Sequence, residues 1–330
     1  MRLPRGQARS QRTAPERMWE MRVLVTGGAG YIGSILSEHL LAAKHQVTVL
    51  DNLMYRQRSL FHLCSNRCFE FIYGDARDQE LLSKLIKQAD VVIPLAAIVG
   101  APACDRDPFQ ASSVNLQATQ LLNRLRSPQQ LVIFPTTNSG YGTKSGEVFC
   151  TEETPLHPIS LYGRDKVRAE AELLNSPNVI SLRLATVFGT SPRMRLDLLV
   201  NDFVYQAVSR GYLLIFEKTF KRNYVHIRDV ADCFLHCIEH AAEMAGRPYN
   251  VGLDEANLSK EELALKIKEH VVNFYVHFSE IGCDPDKRNY IVSNQRLKEW
   301  GFEARRSLDE GIEELIKGYR MMAREEFRNV

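Results

Sequence analysis

The chain is 330 residues long, enough for one large domain or for a large domain with a smaller lobe. Its 45% hydrophobic and 25% charged residues match an ordinary soluble globular protein. A net charge of +2 gives no electrostatic case for nucleic acid, and no apolar run is long enough to span a bilayer, so neither nucleic acid nor a membrane is an expected partner. The 7 cysteines are an odd, scattered set, which fits reduced thiols in a cytoplasmic protein better than a disulfide framework. On helices, Cys64 and Cys68 would share a face, as would Cys233 and Cys237. No second ligand pair follows at zinc-site spacing, so small buried residues and no metal are expected.

Residues 1–20 differ from the rest. Arg2, Arg5, Arg9, Arg12 and Arg17 are relieved only by Glu16 and Glu20, and no apolar core of a secretory signal is present. A disordered extension ahead of a domain starting at Met21 is expected, with an Arg-rich transit peptide as the alternative. Met21, Leu24 and Val25 then form a short apolar run that stops at Thr26-Gly27-Gly28-Ala29-Gly30-Tyr31-Ile32-Gly33. A helical pattern over 34–43 and a buried strand over 47–50, ending at Asp51, complete a strand-loop-helix-strand unit. The alternation continues with strands at 69–73, 91–95 and 131–135 and helices at 78–88 and 112–126. A helix at 161–175 and a strand at 179–184 follow. Such repetition predicts an α/β protein with a Rossmann-type, doubly wound parallel sheet over 21–187. Beyond Phe188 the rhythm breaks. Helical stretches at 198–210, 230–242, 260–271 and 308–324 predict that 188–330 is mainly a smaller C-terminal substrate-binding lobe, with some segments returning to the sheet.

Gly27, Gly30 and Gly33 stand directly after a strand and at the start of a helix. Missing side chains let the backbone turn tightly and approach a pyrophosphate at the positive end of that helix. Asp51, at the end of the second strand, is placed to accept hydrogen bonds from both ribose hydroxyls and to repel a 2′-phosphate. With no arginine at that strand end, the expected cofactor is NAD rather than NADP. Asp75 either meets the adenine or caps the helix that follows it.

Tyr162 and Lys166 are four residues apart on a helix and share a face. A phenol is a poor base at neutral pH, but a nearby ammonium and the oxidised nicotinamide both favour its phenolate. Lys166 can also hold the nicotinamide ribose. The buried strand ending at Pro135 delivers Thr136-Thr137-Asn138-Ser139-Gly140-Tyr141-Gly142 to the sheet edge. Thr137 is the expected partner of the reacting oxygen and Ser139 the next choice, with Thr136 read as part of a turn. Thr190-Ser191-Pro192-Arg193-Met194-Arg195-Leu196 follows the sheet edge, where Arg193 and Arg195 either reach a bound ligand or form an interface salt bridge.

These motifs together resemble the extended short-chain dehydrogenase/reductases that act on nucleotide sugars, the NAD-dependent epimerase/dehydratase family. The resemblance runs from Met21 to about Met322. It takes in the glycine loop, Asp51-Asn52-Leu53, Leu95-Ala96-Ala97, Thr137 to Gly142 and Tyr162 to Lys166. It continues through Arg222-Asn223-Tyr224-Val225-His226, Asp229-Val230-Ala231 and Tyr249-Asn250-Val251-Gly252. It implies that Tyr162, Lys166 and Thr137 carry redox chemistry, with Asn115 supporting them. It also implies that Gly27, Gly30, Tyr31, Ile32, Gly33, Asp51, Asn52, Asp75, Ala76, Leu95, Ala96 and Ala97 bind NAD alongside Tyr162 and Lys166. Thr137, Asn138, Ser139, Arg193, Arg195, Arg222 and Arg288 would meet a nucleotide-diphosphate sugar, the last two arginines gripping its diphosphate unless they are solvated surface charges. A homodimer formed through the helices that follow Ser112 and contain Tyr162 is expected.

The departures narrow the chemistry. Family 4,6-dehydratases carry Asp-Glu where this chain has Asn138-Ser139, and neither residue can act as an acid or base at neutral pH. The Cys/Lys pair used for epimerisation at C3 and C5 is also missing at Ser139-Gly140. Oxidation at C4 of the sugar, with Tyr162 as base, is the expected reaction. A 4-epimerase is the alternative, and an NAD-binding regulator without turnover a third reading. The run from Ser191 to Leu199, with Thr137 to Gly142, resembles the GDP-D-glycero-D-manno-heptose 4-dehydrogenase branch.

Overall fold

The computed structural model describes residues 21–144, 148–282 and 287–322; the arginine-rich segment 1–20, Cys283 and Asp286 lie outside the described residues. The alternating apolar runs form a 7-stranded sheet whose neighbouring strands are all parallel. Its strands are β1 (Arg22–Thr26), β2 (Gln46–Asp51), β3 (Phe69–Tyr73), β4 (Val91–Pro94), β5 (Leu131–Thr137), β6 (Val179–Leu184) and β7 (Arg247–Val251). Their order is β7-β6-β5-β4-β1-β2-β3. The chain reverses direction across the sheet between β1 and β4, where ligands of such sheets enter. β7 comes from well beyond Phe188, so the later half of the chain contributes to the sheet as well as to the lobe.

A parallel sheet is buried on both faces, so both must be covered. Successive side chains of a strand point to opposite faces. Val23 and Val25 therefore join one apolar cluster and Leu24 the other. The covering helices are α1 (Tyr31–Ala42), α2 (Gln79–Ile86), α3 (Ala118–Leu125), α4 (Leu161–Leu174) and α5 (Ile227–Glu239). Ile35, Leu36 and Leu40 of α1 and Val230 and Phe234 of α5 pack on the first face. Leu82 of α2, Leu122 of α3 and Leu173 of α4 pack on the second. The lobe holds the strands Thr186–Phe188, Lys221–His226 and Asn257–Ser259 in one small sheet, backed by helices that include α6 (Leu308–Met321). No described helix is long and apolar enough to cross a membrane.

Three local expectations are corrected. Helix α1 starts at Tyr31 rather than Ser34, because Gly30 closes the glycine turn by donating to Gly27 O at 3.1 Å and itself becomes the N-cap. The helix expected over 112–126 is not regular: Ser113–Gln117 forms a π turn ahead of α3. Cys64 and Cys68 are exposed and on no shared helix, since Cys64 follows the 3-10 turn Phe61–Leu63 and Cys68 enters β3. Cys104, Cys150, Cys233 and Cys237 are buried free thiols.

One buried polar network ties the sheet to the segment after β5. The Arg183 guanidinium of β6 donates to Glu170 of α4 at 2.6 and 3.0 Å, and Ser181 donates to the same carboxylate at 2.8 Å. Arg183 also donates to the Glu152 carbonyl at 2.9 Å and to the Tyr141 hydroxyl at 3.3 Å, while that hydroxyl donates to Asn250 of β7 at 2.7 Å. Burial opposes the Arg183 charge, but the bonds and charge of Glu170 hold its pKa above the ordinary arginine value. Removing one partner of a buried pair leaves the other uncompensated. Arg183→Met should therefore lower unfolding free energy by about 3–5 kcal/mol in a denaturant titration.

Candidate active site

The reversal point between β1 and β4 opens into a groove. Its floor is the glycine turn. Gly27 has a φ of +71°, and a Cβ there would lie 2.5 Å from the Ala96 backbone nitrogen, so only glycine lets the turn after β1 press against the exit of β4. Gly27, Gly30, Tyr31, Ile32 and Gly33 line the groove together with Asp51, Asn52, Asp75, Ala76, Leu95, Ala96 and Ala97. The side chain of Tyr31 serves a different purpose: its hydroxyl donates to Gly189 O at 2.7 Å and accepts from Asn201 at 3.2 Å, joining α1 to the lobe.

Asp51 is 8% exposed, and burial moves its carboxyl upward from the ordinary range against the pull of two backbone amides. These are Leu53 N–H, donating to Oδ1 at 2.8 Å, and Ala29 N–H, donating to Oδ2 at 3.0 Å. Asp75 does not cap the next helix. Asp78 does, accepting from Leu81 N–H at 3.1 Å, and Asp75 faces the groove. An arginine from the segment after β3 also reaches this end of the groove. Arg77 lines it but forms a bidentate pair with Asp75 at 2.9 and 2.7 Å and donates to Ser113 at 2.9 Å. Its charge is thus already matched by a carboxylate.

The far wall is the segment after β4. Asn115, in the π turn, accepts from Ile98 N–H at 2.8 Å and donates to Ile98 O at 2.9 Å. The π turn sets that amide against the loop, which explains why the helix departs from α geometry here. Tyr162 packs on the same segment with Ile98, Cys104, Ala111 and Val114. Its hydroxyl makes no hydrogen bond among the described residues. Burial pushes the phenol up to about 12, and the cations that oppose this are Arg195 and Arg288. Lys166 is not among them. Its ammonium lies 3.9 Å from the centre of the Phe134 ring, 4% exposed, with no hydrogen-bond acceptor among the described residues. Burial pulls its pKa down to about 7 against the attraction of Glu170. A buried ammonium without an acceptor and an aspartate at the end of β2 fit the ribose hydroxyls of NAD, and the glycine turn fits its pyrophosphate.

At the end of β5, Thr137 donates to Ser139 Oγ at 2.9 Å and accepts Ser139 N–H at 3.1 Å; Arg288 also donates to Ser139 Oγ. The 138–141 turn abuts α4, where a Cβ on Gly163 would lie 3.7 Å from Ser139 O. Thr136 belongs to the strand rather than to a turn, and Asn138 is fully buried with both amide atoms unpartnered. Arg222 is no solvated charge: it is 3% exposed, donates to Lys221 O at 2.9 Å and lies 5.6 Å from the Tyr290 ring centre. Arg193 and Arg195 line the cofactor groove itself, Arg195 in an ion pair with Asp197. Sequence reasoning missed Tyr55, Gln57, Arg77, Gln110 and Val114 in the groove wall. Arg77 alone carried a signal, two residues after the singled-out Asp75.

The profile of the NAD dependent epimerase/dehydratase family matches residues 23–252. The chain belongs to that family; it is an enzyme, and its cofactor is NAD. An uncharacterised UDP-glucose epimerase of Bacillus subtilis (strain 168) is 32% identical over 75% of this chain and 79% of its own length. The UDP-glucose 4-epimerase of Thermotoga maritima, solved with UDP-glucose, superposes with a TM-score of 0.79 at 26% identity, covering 91% of this chain and 99% of its own. The UDP-glucose 4-epimerase of Thermus thermophilus, solved with NAD, gives a TM-score of 0.78 at 25% identity, covering 92% of this chain and 100% of its own.

The depressed Lys166 pKa sets a pH signature for the cofactor-free protein. Between pH 7 and the ordinary lysine value the unfolded chain holds a proton that the folded one has released, so stability rises with pH across that window. Relative to Lys166→Met, the unfolding free energy of the parent should climb from about pH 7 to pH 10 in parallel denaturant titrations. Parallel, flat profiles would contradict the assignment.

Proposed function

We propose that this enzyme oxidises C4 of a nucleotide-diphosphate sugar, with Tyr162 as the base. The observation that carries this reading is the setting of the Tyr162 hydroxyl. Tyr162 is not itself among the residues lining the groove but packs against the cluster of Ile98 and Val114, which are; its hydroxyl has no hydrogen-bond partner among the described residues and is under the influence of Arg195 and Arg288. In the cofactor-free protein the phenol is neutral, and its unpartnered hydroxyl is available to a ligand oxygen. When bound, NAD supplies the hydride acceptor and a cationic ring that further favours the phenolate.

Tyr162 removes the proton of the C4 hydroxyl, and Thr137 hydrogen-bonds the same oxygen. Lys166 holds the nicotinamide ribose and thereby fixes the distance between base and acceptor. Arg222 and Arg288 take the diphosphate, for which a guanidinium fork is suited. Asn138 and Ser139 bring no acid or base to this oxygen, which leaves dehydration without its proton carriers.

A second reading, 4-epimerisation, is favoured by the relatives named as UDP-glucose epimerases. It begins with the same oxidation and ends by returning hydride to the opposite face of the sugar. Two observations bear on the sugar and suggest different assays. The Ser191 to Leu199 run supports GDP-D-glycero-D-manno-heptose, and the relatives support UDP-glucose. Incubation with each separates the outcomes: a keto product with net NADH supports C4 dehydrogenation, and an epimer without net NADH supports epimerisation. In either case Tyr162→Phe should lower kcat by about 10²–10⁴-fold while leaving NAD affinity nearly unchanged. Turnover undiminished in that variant would overturn the assignment. The active unit is proposed to be a homodimer paired through α3 and α4, for which light scattering should report the mass of two chains.

A further inference from the structure

We propose that Tyr55 and Arg193 form a clasp across the cofactor groove and set the rate at which NAD leaves. The two residues come from separate segments that line the same groove, and the Arg193 guanidinium lies 4.8 Å from the centre of the Tyr55 ring. A guanidinium over an aromatic face is attracted by the ring's quadrupole. Nothing in the local sequence pairs them; the fold brings them together.

Each wall is fixed to the nucleotide-binding unit. Tyr55 sits in the loop after β2, between Leu53 and Arg56, whose φ angles of +50° and +53° are uncommon for residues other than glycine. A tight set of bonds holds that shape. Leu53 N–H donates to Asp51 at 2.8 Å, Met54 N–H to Asn52 at 3.1 Å, Tyr55 N–H to Gln57 at 3.1 Å and Arg56 N–H to Leu53 O at 2.8 Å. On the other side, Arg193 N–H donates to Ser191 Oγ at 3.2 Å. That hydroxyl donates to Tyr31 O at 2.8 Å and lies 2.9 Å from Ser34 Oγ, at the start of α1. The Arg193 guanidinium also donates to the Met194 carbonyl, which aims it across the groove. Tyr55 itself is 44% exposed, so its ring is not needed to fill a core.

The contact joins two anchored segments that line the groove, and on this proposal it parts before a dinucleotide bound there leaves. The clasp therefore retains the dinucleotide between catalytic events. It concerns the cofactor alone and holds whichever sugar is the substrate.

The test follows NADH fluorescence in a stopped-flow instrument as excess NAD displaces NADH preloaded on the full-length protein, with no sugar present. Tyr55→Ala should speed dissociation by roughly three- to thirtyfold, the range expected for a lost cation–π contact. Tyr55→Phe, which keeps the ring face, should retain the parent rate. The thermal midpoint of cofactor-free Tyr55→Ala should match that of the parent; should this variant not fold, Tyr55→Leu takes its place. A dissociation rate unchanged in the ring-less variant, or equally fast in Tyr55→Ala and Tyr55→Phe, overturns the clasp. Because no sugar is turned over, neither result depends on the role of Tyr162.

Discussion

Asp51 accepts the Ala29 amide on one carboxylate oxygen and the Leu53 amide on the other. One side chain at the end of β2 thus joins the glycine turn to the loop that forms the facing wall, and the geometry of the groove follows from that double bond. Were the turn free to move relative to the loop, Gly27 would lose its close approach to Ala96. Each carboxylate oxygen can accept more than one hydrogen bond, so the group that builds the groove still has acceptor capacity for a ligand.

A second constraint acts at the reacting end. Tyr162 is partly buried and Lys166 buried, and loss of solvent drives each toward its neutral form: the phenol is raised to about 12 and the ammonium lowered to about 7. In the cofactor-free protein neither group is held in its charged state by a direct hydrogen bond among the described residues. The cations acting on the phenol come from outside the catalytic helix: Arg195 from the segment entering the lobe and Arg288 from the far end of the chain. Charges from beyond α4 therefore act on the Tyr162 phenol. Below this end, the network of Arg183, Glu170, Tyr141 and Asn250 fixes α4 and the 138–141 turn against β6 and β7.

Much of this was legible in the sequence wherever the deciding physics was local. A glycine turn between a strand and a helix, an aspartate ending the next strand and a tyrosine one helical turn before a lysine each follow from spacing within a few residues. The parallel sheet was legible for the same reason, because strands buried on both faces read as short continuous apolar runs. Where two local solutions competed, the sequence left the choice open. Asp75 and Asp78 are both suited to cap α2, and Asp78 takes the cap while Asp75 faces the groove and pairs with Arg77. The π turn at Asn115 was invisible, because its cause is a bond to Ile98 in a separate segment. Cys64 and Cys68 have helical spacing, yet the chain there turns into β3 and leaves both exposed.

By itself, then, the sequence determined the order of strands and helices, the glycine turn and the aspartate that ends β2, and the spacing of the tyrosine–lysine pair. These depend on contacts between near neighbours or on the repeat of apolar residues. Only the tertiary structure decided which arginines act where. Arg222, charged and long, has the composition of a surface residue but is buried beside Tyr290. Arg193 and Arg195 belong to the cofactor groove, and Arg288 reaches the turn beside Thr137. A guanidinium acts through space on whatever the fold brings near it, and that proximity is set by long-range packing of the lobe against the sheet rather than by any pattern along the chain.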